Sequence, residues 1–129
     1  MKKVLITGFT GMVGSHLADF LLKNTNFQIY GACRWRSPLD NIIHLSDRIN
    51  SRKRIFLKYF DLCDYNSIEN CLREIKPNYI FHLAAQSFPK ASFEMRDLTY
   101  ETNILGTDRL LYAIQKLKIN PIIQVCSSS

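Results

Sequence analysis

Short apolar runs alternate along the chain with longer segments in which apolar residues recur at helical spacing. The short runs predict five β-strands, at 3–7, 28–33, 55–60, 79–83 and 122–126. The longer segments predict helices at 12–23, 64–75 and 97–118, the second capped by Asp64 and ended by Pro77. Because parallel strands are joined by right-handed crossovers, this alternation predicts one α/β domain at 1–129, a doubly wound parallel sheet in the order 3-2-1-4-5.

Two of these helices carry an apolar face that we expect to pack against the sheet. In the first helix the face consists of Val13, Leu17, Phe20 and Leu21. In the last helix it consists of Leu110, Leu111, Ile114 and Leu117. The segment 37–54, opened by Pro38, is less regular, and we expect in it only a short helix around Ile42, Ile43 and Leu45.

Composition limits the class of protein. The 129 residues are 47% hydrophobic, which is enough for the core of a globular domain. No run of about 18 apolar residues is present and the apolar stretch after Met1 is short, so we expect neither a membrane span nor a signal peptide, and a cytoplasmic location. The cysteines lack C-x-x-C spacing, and we expect reduced, buried thiols and no metal site at Cys33, Cys63, Cys71 and Cys126.

Several basic residues fall in one short stretch of a chain whose net charge is +6. They are Arg48, Arg52, Lys53, Arg54 and Lys58. No nucleic-acid motif accompanies them, so we interpret the stretch as a solvated connection before a strand and expect no nucleic-acid partner. A positive field also favours phosphorylated ligands.

Three of the five glycines lie between the first predicted strand and the first helix, in the run Thr7-Gly8-Phe9-Thr10-Gly11-Met12-Val13-Gly14. Glycines there allow a sharp turn, a close approach of a pyrophosphate to the backbone, and tight packing of helix on strand. The free N–H groups of the helix N-terminus favour phosphates. The loop therefore predicts a Rossmann-type dinucleotide site that includes Thr7, Gly8, Gly11, Met12, Val13 and Gly14.

The residue at the end of the second strand indicates which dinucleotide is bound. NAD enzymes usually place a carboxylate there for the ribose 2′-hydroxyl, whereas this chain has Arg34, with Arg36 two residues later. A guanidinium suits a 2′-phosphate, so NADP is favoured over NAD. The alternatives stay open that both arginines are simply solvated and that Asp40 reaches a ribose.

The spacing G-x-x-G-x-x-G resembles that of the extended short-chain dehydrogenase/reductase superfamily. Four later segments agree with it in order, namely Asp61-Leu62, His82-Leu83-Ala84-Ala85, Asn103 and Cys126-Ser127-Ser128-Ser129. The resemblance implies that Asp61 and Leu62 contact the adenine, and that Leu83, Ala84 and Ala85 form a small-residue turn against the cofactor. It further implies that Asn103 holds strand four in place and that Ser128, or as second choice Ser129, is the catalytic hydroxyl.

Within this superfamily, Ala84-Ala85-Gln86-Ser87 and Ser92-Phe93-Glu94-Met95 resemble the GDP-mannose 4,6-dehydratase family, whereas Trp35 and Arg36 depart slightly from its pattern. The resemblance spans essentially the whole chain and implies a lyase that holds NADP tightly. In such an enzyme a hydride leaves C4 of the sugar, water is lost across C5 and C6, and the hydride returns to C6. Gln86, Ser87 and Ser92 would line the sugar side, GDP-mannose would be the substrate, and the intact protein would be a homo-oligomer.

The family carries its Tyr-x-x-x-Lys pair after strand five, so the resemblance implies an N-terminal part, truncated after that strand and inactive alone. Tyr112 and Lys116 have the right spacing, but they precede strand five and lie away from the strand ends where α/β sites form. We therefore do not assign them as the active pair. Two alternatives remain: another extended nucleotide-sugar enzyme, an epimerase or 4-keto reductase, and an NADP-binding module without catalysis.

Overall fold

Five parallel strands form one sheet in the part of the chain that the computed structural model describes, residues 1–34, 39–51, 53–84 and 93–126. The strands are β1 Lys3–Thr7, β2 Gln28–Cys33, β3 Ile55–Tyr59, β4 Tyr79–His82 and β5 Ile122–Val125. Their order is β3-β2-β1-β4-β5, and every pairing is parallel. The predicted fold class and strand order are confirmed.

Helices connect the strands. The α-helices are α1 Met12–Asn24, α2 Ser46–Ser51, α3 Tyr65–Ile75, α4 Arg96–Tyr100 and α5 Gly106–Lys116. The irregular segment contains a 3₁₀ helix, Asp40–Leu45, and a π-helix, Glu101–Leu105, lies between α4 and α5. Asp64 caps α3 as predicted, because its carboxylate accepts a hydrogen bond from the backbone N–H of Ser67.

The sheet separates two apolar cores, and β1 contributes to both. On one face Leu5 packs with residues of α3 and α5, whereas on the other face Val4 and Ile6 pack with residues of α1 and the 3₁₀ helix. This alternation follows from the period of two along a strand. The strand that precedes the glycine loop is therefore buried on both faces, and the loop starts from a fixed point.

The predicted buried face of α1 is partly wrong. Val13 and Phe20 are each 59% exposed, Leu17 is half-buried, and only Leu21 of the predicted set is fully buried. The helix instead buries the small residues Gly14, Ser15 and Ala18 beside Leu21. Small side chains let α1 approach the sheet closely, and a hydrophobicity pattern does not detect that requirement.

The predicted helix at 97–118 is interrupted by the π-helix, and its buried face also differs. Leu110 is buried and Ile114 and Leu117 are partly buried, as predicted, but Leu111 is 46% exposed and Ala113 is buried in its place. Because α5 packs against α3, the contact is close enough to select alanine over the bulkier leucine.

The cysteine prediction is only partly right. None of the four forms a disulfide, but Cys63 and Cys126 are exposed, since the first lies in a turn and the second follows the outermost strand. Cys71 is buried against the sheet, and burial raises the pKa of its thiol to about 12. Burial also raises the pKa of the half-buried Cys33.

The basic stretch is not simply solvated. Arg54 is half-buried, and its guanidinium donates hydrogen bonds to the carbonyl oxygens of Leu22, Thr25 and Phe27. Arg54 therefore fixes the end of α1 and its turn into β2, which a charge count cannot reveal. Among the described residues, no helix is both long and apolar enough to cross a bilayer, and no three metal-ligating side chains form a group.

Candidate functional site

A cleft of about 430 Å³ opens at the carboxyl ends of β1, β2, β3 and β4. This edge of a doubly wound sheet is where ligands bind, on both sides of the point at which the strand order reverses. Here the reversal lies between β1 and β4. The lining residues are Gly8, Thr10, Gly11, Ala32, Cys33, Arg34, Phe60, Asp61, Leu62, Cys63, Leu83, Ala84, Leu98 and Thr102.

The floor of the cleft is the glycine turn after β1. Gly8 has a φ of +68°, in the left-handed region, and a Cβ on it would lie 2.9 Å from the backbone N of Ala84. A Cβ on Gly14 would lie 2.6 Å from the carbonyl oxygen of Gly8 and 2.8 Å from that of Phe9. Both positions therefore require glycine, because the atoms in the way belong to the backbone.

Close packing at Gly14 brings the N-terminus of α1 to the cleft. The N-cap residue is Gly11, which has no side chain to accept a hydrogen bond from the first amides, and the first turn contains no acidic residue. Met12 and Val13 begin the helix and are largely exposed. The uncapped N–H groups and the positive end of the helix dipole face the cleft and favour an anion.

Arg34 lies at the rim of the cleft, directly after β2, and its side chain is exposed. Asp40 is also exposed and begins the 3₁₀ helix. That helix is attached to the glycine turn, since the Asn41 amide donates a hydrogen bond of 3.1 Å to the carbonyl oxygen of Thr10. The structure thus places a cation beside the glycine turn.

The turn after β3 forms the opposite wall. The carboxylate of Asp61 accepts a hydrogen bond of 2.9 Å from the backbone N–H of Cys63, which closes the turn. Arg109 on α5 donates a hydrogen bond of 2.9 Å to the carbonyl oxygen of Leu62 and forms an ion pair with Glu101. The Asp61-Leu62 segment is therefore held from within and from the neighbouring helix.

A buried hydrogen-bond network supports the floor from below. The hydroxyl oxygen of Thr7 accepts hydrogen bonds of 3.0 Å from the backbone N–H groups of Leu83 and Ala84. The same oxygen lies 2.8 Å from Nδ1 of His82, whose Nε2 lies 3.1 Å from the hydroxyl of Thr107. Burial lowers the pKa of His82. Thr7 therefore does not reach the cleft with its side chain, and instead joins β1 to the turn after β4.

The structure brings much of the predicted cofactor site together. Gly8, Gly11, Arg34, Asp61, Leu62, Leu83 and Ala84 line the cleft, and Met12, Val13 and Gly14 form the first turn of α1 beside it. Asn103 lies in the π-helix, where its carbonyl oxygen accepts a hydrogen bond of 2.9 Å from Thr107. The other predicted residues lie outside the described part of the chain, namely Arg36, Ala85, Gln86, Ser87, Ser92, Ser128 and Ser129.

Seven lining residues were not predicted from the sequence, namely Thr10, Ala32, Cys33, Phe60, Cys63, Leu98 and Thr102. Thr10, Cys33 and Phe60 each end or follow a predicted strand, so their position at the carboxyl ends of the strands could have identified them as lining residues. Leu98 and Thr102 come from a helix predicted to cover the sheet, so their place in the cleft follows only from the tertiary structure. Their side chains add apolar and hydroxyl surface to the Asp61 side of the cleft.

The Tyr112 and Lys116 pair faces α3. Tyr112 packs against the ring of Tyr65, with 5.7 Å between ring centroids, and Lys116 forms an ion pair of 2.9 Å with Glu69. Neither residue lines the cleft. The side chains with the spacing of a catalytic pair thus connect two helices.

Comparison with known proteins identifies the family. The sequence profile described as GDP-mannose 4,6 dehydratase matches residues 5–129. The chain belongs to this family. It is 39% identical over 120 residues to a GDP-mannose 4,6-dehydratase of Yersinia enterocolitica, covering 89% of this chain and 32% of the relative. It is 40% identical over 118 residues to the GDP-mannose 4,6 dehydratase of Drosophila melanogaster, covering 88% and 30%. The chain therefore spans about a third of the length of these curated relatives.

Solved structures agree with the fold. The UDP-glucose 4-epimerase of Thermus thermophilus, solved as a complex with NAD, superposes with a TM-score of 0.76 at 28% identity, over 92% of this chain and 35% of the epimerase. A UDP-glucose 4-epimerase from Bifidobacterium longum has a TM-score of 0.83 at 21% identity, over 99% of this chain and 37% of its own. The second likeness concerns the fold alone. This chain thus shares the fold of its sheet with these two UDP-glucose 4-epimerases.

Proposed function

We propose that this chain is the dinucleotide-binding N-terminal part of a nucleotide-sugar 4,6-dehydratase that acts on GDP-mannose and uses NADP. One observation carries the proposal: the glycine turn and the uncapped N-terminus of α1 lie together at the floor of a cleft at the switch point of the sheet. Membership of the dehydratase family and relatives named for GDP-mannose support the reaction class.

The residues of the cleft fit a dinucleotide in a definite direction. The diphosphate would lie over Gly8 and Gly11, where there are no side chains and the α1 amides are available. The adenine would lie beside Leu62, in the turn closed by the Asp61 carboxylate, and the nicotinamide half would pass Ala84. The close approach of Ala84 to Gly8 leaves backbone at the surface on which the cofactor would rest.

The preference for NADP rests on Arg34 at the rim of the cleft. Its guanidinium is exposed and can form a bidentate contact with a 2′-phosphate, and Arg36 follows it in the sequence. We expect the double substitution R34A/R36A to raise the Kd for NADP about tenfold to a hundredfold and the Kd for NAD less than about threefold. Titration calorimetry with each dinucleotide measures both values.

A matched control removes a cation elsewhere. Lys23 is exposed in the last turn of α1, at the end of the helix opposite the cleft, and K23A lowers the net charge without touching the site. K23A should leave the ratio of the two Kd values unchanged. Equal losses of affinity for NADP and NAD in R34A/R36A would contradict the preference for NADP. If the native chain bound neither dinucleotide, that result would contradict the proposed function itself.

On the substrate side, we propose that Gln86, Ser87 and Ser92 contact the sugar nucleotide and that Ser128, or Ser129, donates a hydrogen bond to the sugar O4. The nicotinamide, when bound, supplies a reversible hydride acceptor. A serine hydroxyl beside O4 would orient the carbinol so that its C4 hydrogen faces that acceptor. These roles follow from the family motifs in the sequence.

The reaction can be tested in a chimera in which this chain replaces the matching 120 residues of the Yersinia enterocolitica relative. We expect the chimera to convert GDP-mannose to a product lighter by one water, detected by mass spectrometry. The chimera with S128A should lose most of this activity and keep its Kd for NADP. A product of unchanged mass with an altered sugar configuration would instead support an epimerase, and NADP binding without any product would support the non-catalytic module.

A further inference from the structure

The hydrogen atoms of the Thr7–His82 network can be assigned from the donors and acceptors alone. A hydroxyl group has one hydrogen and two lone pairs. The Thr7 oxygen accepts from two backbone N–H groups, those of Leu83 and Ala84, so both lone pairs are used. The remaining contact, 2.8 Å to Nδ1 of His82, must therefore be made by the hydrogen of Thr7 itself.

This assignment fixes the state of the imidazole. Nδ1 of His82 accepts a hydrogen bond and carries no hydrogen, so a neutral ring must carry its hydrogen on Nε2. Nε2 then donates to the hydroxyl of Thr107 at 3.1 Å, and Thr107 donates its own hydrogen to the carbonyl oxygen of Asn103 at 2.9 Å. Every group in this chain of hydrogen bonds has one compatible role.

The network connects the parts of the cleft that must stay in register. Thr7 directly precedes Gly8 and accepts a hydrogen bond from the backbone N–H of Ala84. The backbone of Ala84 lies so close to Gly8 that a Cβ on Gly8 would be 2.9 Å from the Ala84 nitrogen. We propose that His82, as the neutral Nε2–H tautomer, is a positioning residue that holds the turn after β4 against the glycine turn and so shapes the dinucleotide cleft. The proposal rests on the proposed dinucleotide function and adds to it a residue and a protonation state.

Protonation of His82 would oppose this arrangement. A second hydrogen on Nδ1 would point at the Thr7 oxygen, and Thr7 would have to turn its own hydrogen away and give up an N–H bond to Leu83 or Ala84. His82 is 4% exposed, and its backbone pairs with Val125 of β5. Its ring faces Thr7 of β1 and Thr107 of α5. No charged group among the described residues contributes to the pKa of His82, which burial lowers.

The first test determines the tautomer without any ligand. Long-range ¹H–¹⁵N correlation spectra of the full chain at about pH 7.5 distinguish Nδ1–H, Nε2–H and the imidazolium. The other two histidines, His16 and His44, are exposed and give separate signals. We expect the Nε2–H pattern for His82. An Nδ1–H tautomer or a charged ring at that pH would overturn the proposal.

The second test measures NADP binding in two variants of His82. H82L removes the acceptor for Thr7, whereas H82N keeps an acceptor oxygen near the position of Nδ1 and cannot be protonated in this range. H82L loses the hydrogen bonds to both Thr7 and Thr107, and we expect it to raise the Kd at about pH 7.5 at least about tenfold. H82N keeps the acceptor for Thr7, the bond that supports the turn, and should restore the Kd to within about threefold. Circular dichroism confirms that each variant is folded.

The pH dependence separates positioning from general stability. As the pH is lowered from about 7.5 through the lowered pKa of His82, the rise in the Kd of the native chain should exceed that of H82N by at least about fivefold, because the titration of the ligand phosphate is common to both. Parallel profiles, or native affinity in H82L, would overturn the proposal. If H82L does not fold, the comparison of the native chain with H82N decides. Failure of the native chain to bind NADP at any pH would instead contradict the dinucleotide function, and the spectra would still decide the assignment of His82.

Discussion

Substituting alanine for Gly14 tests whether the cleft depends on the close approach of α1 to β1. Alanine is the better helix former, and propensity alone predicts that G14A stabilises the chain by about 1 kcal/mol. The structure predicts the opposite sign. The new Cβ would lie within 3 Å of the carbonyl oxygens of Gly8 and Phe9 and of the Cα of Phe9, and these backbone atoms are fixed by a strand buried on both faces.

The size of the effect follows from these opposing terms. Overpacking against a fixed backbone costs about 3 kcal/mol, at the upper end of the usual range, because there is no flexible side chain among the nearest atoms. Subtracting the gain in helix propensity leaves a net loss of about 2 kcal/mol. A domain of this length has an unfolding entropy of about 0.27 kcal/mol/K, so the Tm should fall by about 7 °C.

Differential scanning calorimetry of the native chain, G14A and G11S measures this. Gly11 is the matched control, because a Cβ there would meet a single atom, the Gly8 oxygen at 3.3 Å, and serine is a favourable N-cap residue. The Tm of G11S should stay within about 2 °C of the native value. A Tm of G14A equal to or above the native value would refute the reasoning, since helix propensity would then outweigh the contact.

Two further predictions concern charged groups away from the cleft. R54K keeps the charge but cannot donate to the carbonyl oxygens of Leu22, Thr25 and Phe27 together, so we expect a loss of about 2 kcal/mol in urea unfolding. The neighbouring exposed Lys53, changed to alanine, should have no measurable effect, and an equal loss in both variants would contradict the role of Arg54. Lys116 and Arg73 hold the pKa of Glu69 below its ordinary value of 4.5, so its ionised form stabilises the fold above about pH 4.5 and this contribution is lost as the pH falls through the lowered pKa. The Tm of the native chain should therefore exceed that of E69Q at pH 7, and the difference should shrink as the pH falls below 4.5 and through the lowered pKa of Glu69. A difference that stays constant over this range would refute the assignment.

Periodicity and turn chemistry in the sequence were sufficient to predict the sheet. All five strands were found within one residue at each end, because buried parallel strands appear as short apolar runs between clear helix signals. The Asp64 cap was found for a similar reason, since an N-cap is a local feature. Parallel order then followed from the handedness of the crossovers.

The buried helix faces were harder to predict, and the errors have one physical cause. Phe20 and Leu111 were expected to pack on the sheet, but Ala18 and Ala113 do so instead. Hydrophobicity ranks large residues first, whereas a helix that lies very close to its neighbour needs small ones. The distance between a helix and its neighbour depends on the tertiary structure. The spacing of hydrophobic residues in the sequence therefore does not reveal where small residues are needed.

The residues of the candidate site also fall into two groups, those that the sequence identified and those that only the folded structure reveals. Gly8, Gly11 and Arg34 were placed at the cleft because a loop position after a strand is readable from sequence, and Asp61 was placed there by the family resemblance. The role of His82 was not found, although its segment had been noted for the small residues that follow. Its partners Thr7 and Thr107 are distant in the chain, and only the folded sheet brings the three together.

The loops around the cleft are each held by a side chain from another element, and this determines how a ligand would bind. Asn41 bonds the carbonyl oxygen of Thr10, Thr7 bonds the backbone of Ala84, and Arg109 bonds the carbonyl oxygen of Leu62. Backbone positioned in this way before binding does not have to be ordered by the ligand, so less binding free energy is spent on conformational entropy. We therefore expect substitutions at these anchoring side chains to weaken the binding of a dinucleotide, although the side chains do not contact it. A glycine motif in the sequence identifies the loops that line the cleft, but it does not identify the side chains that hold those loops in place.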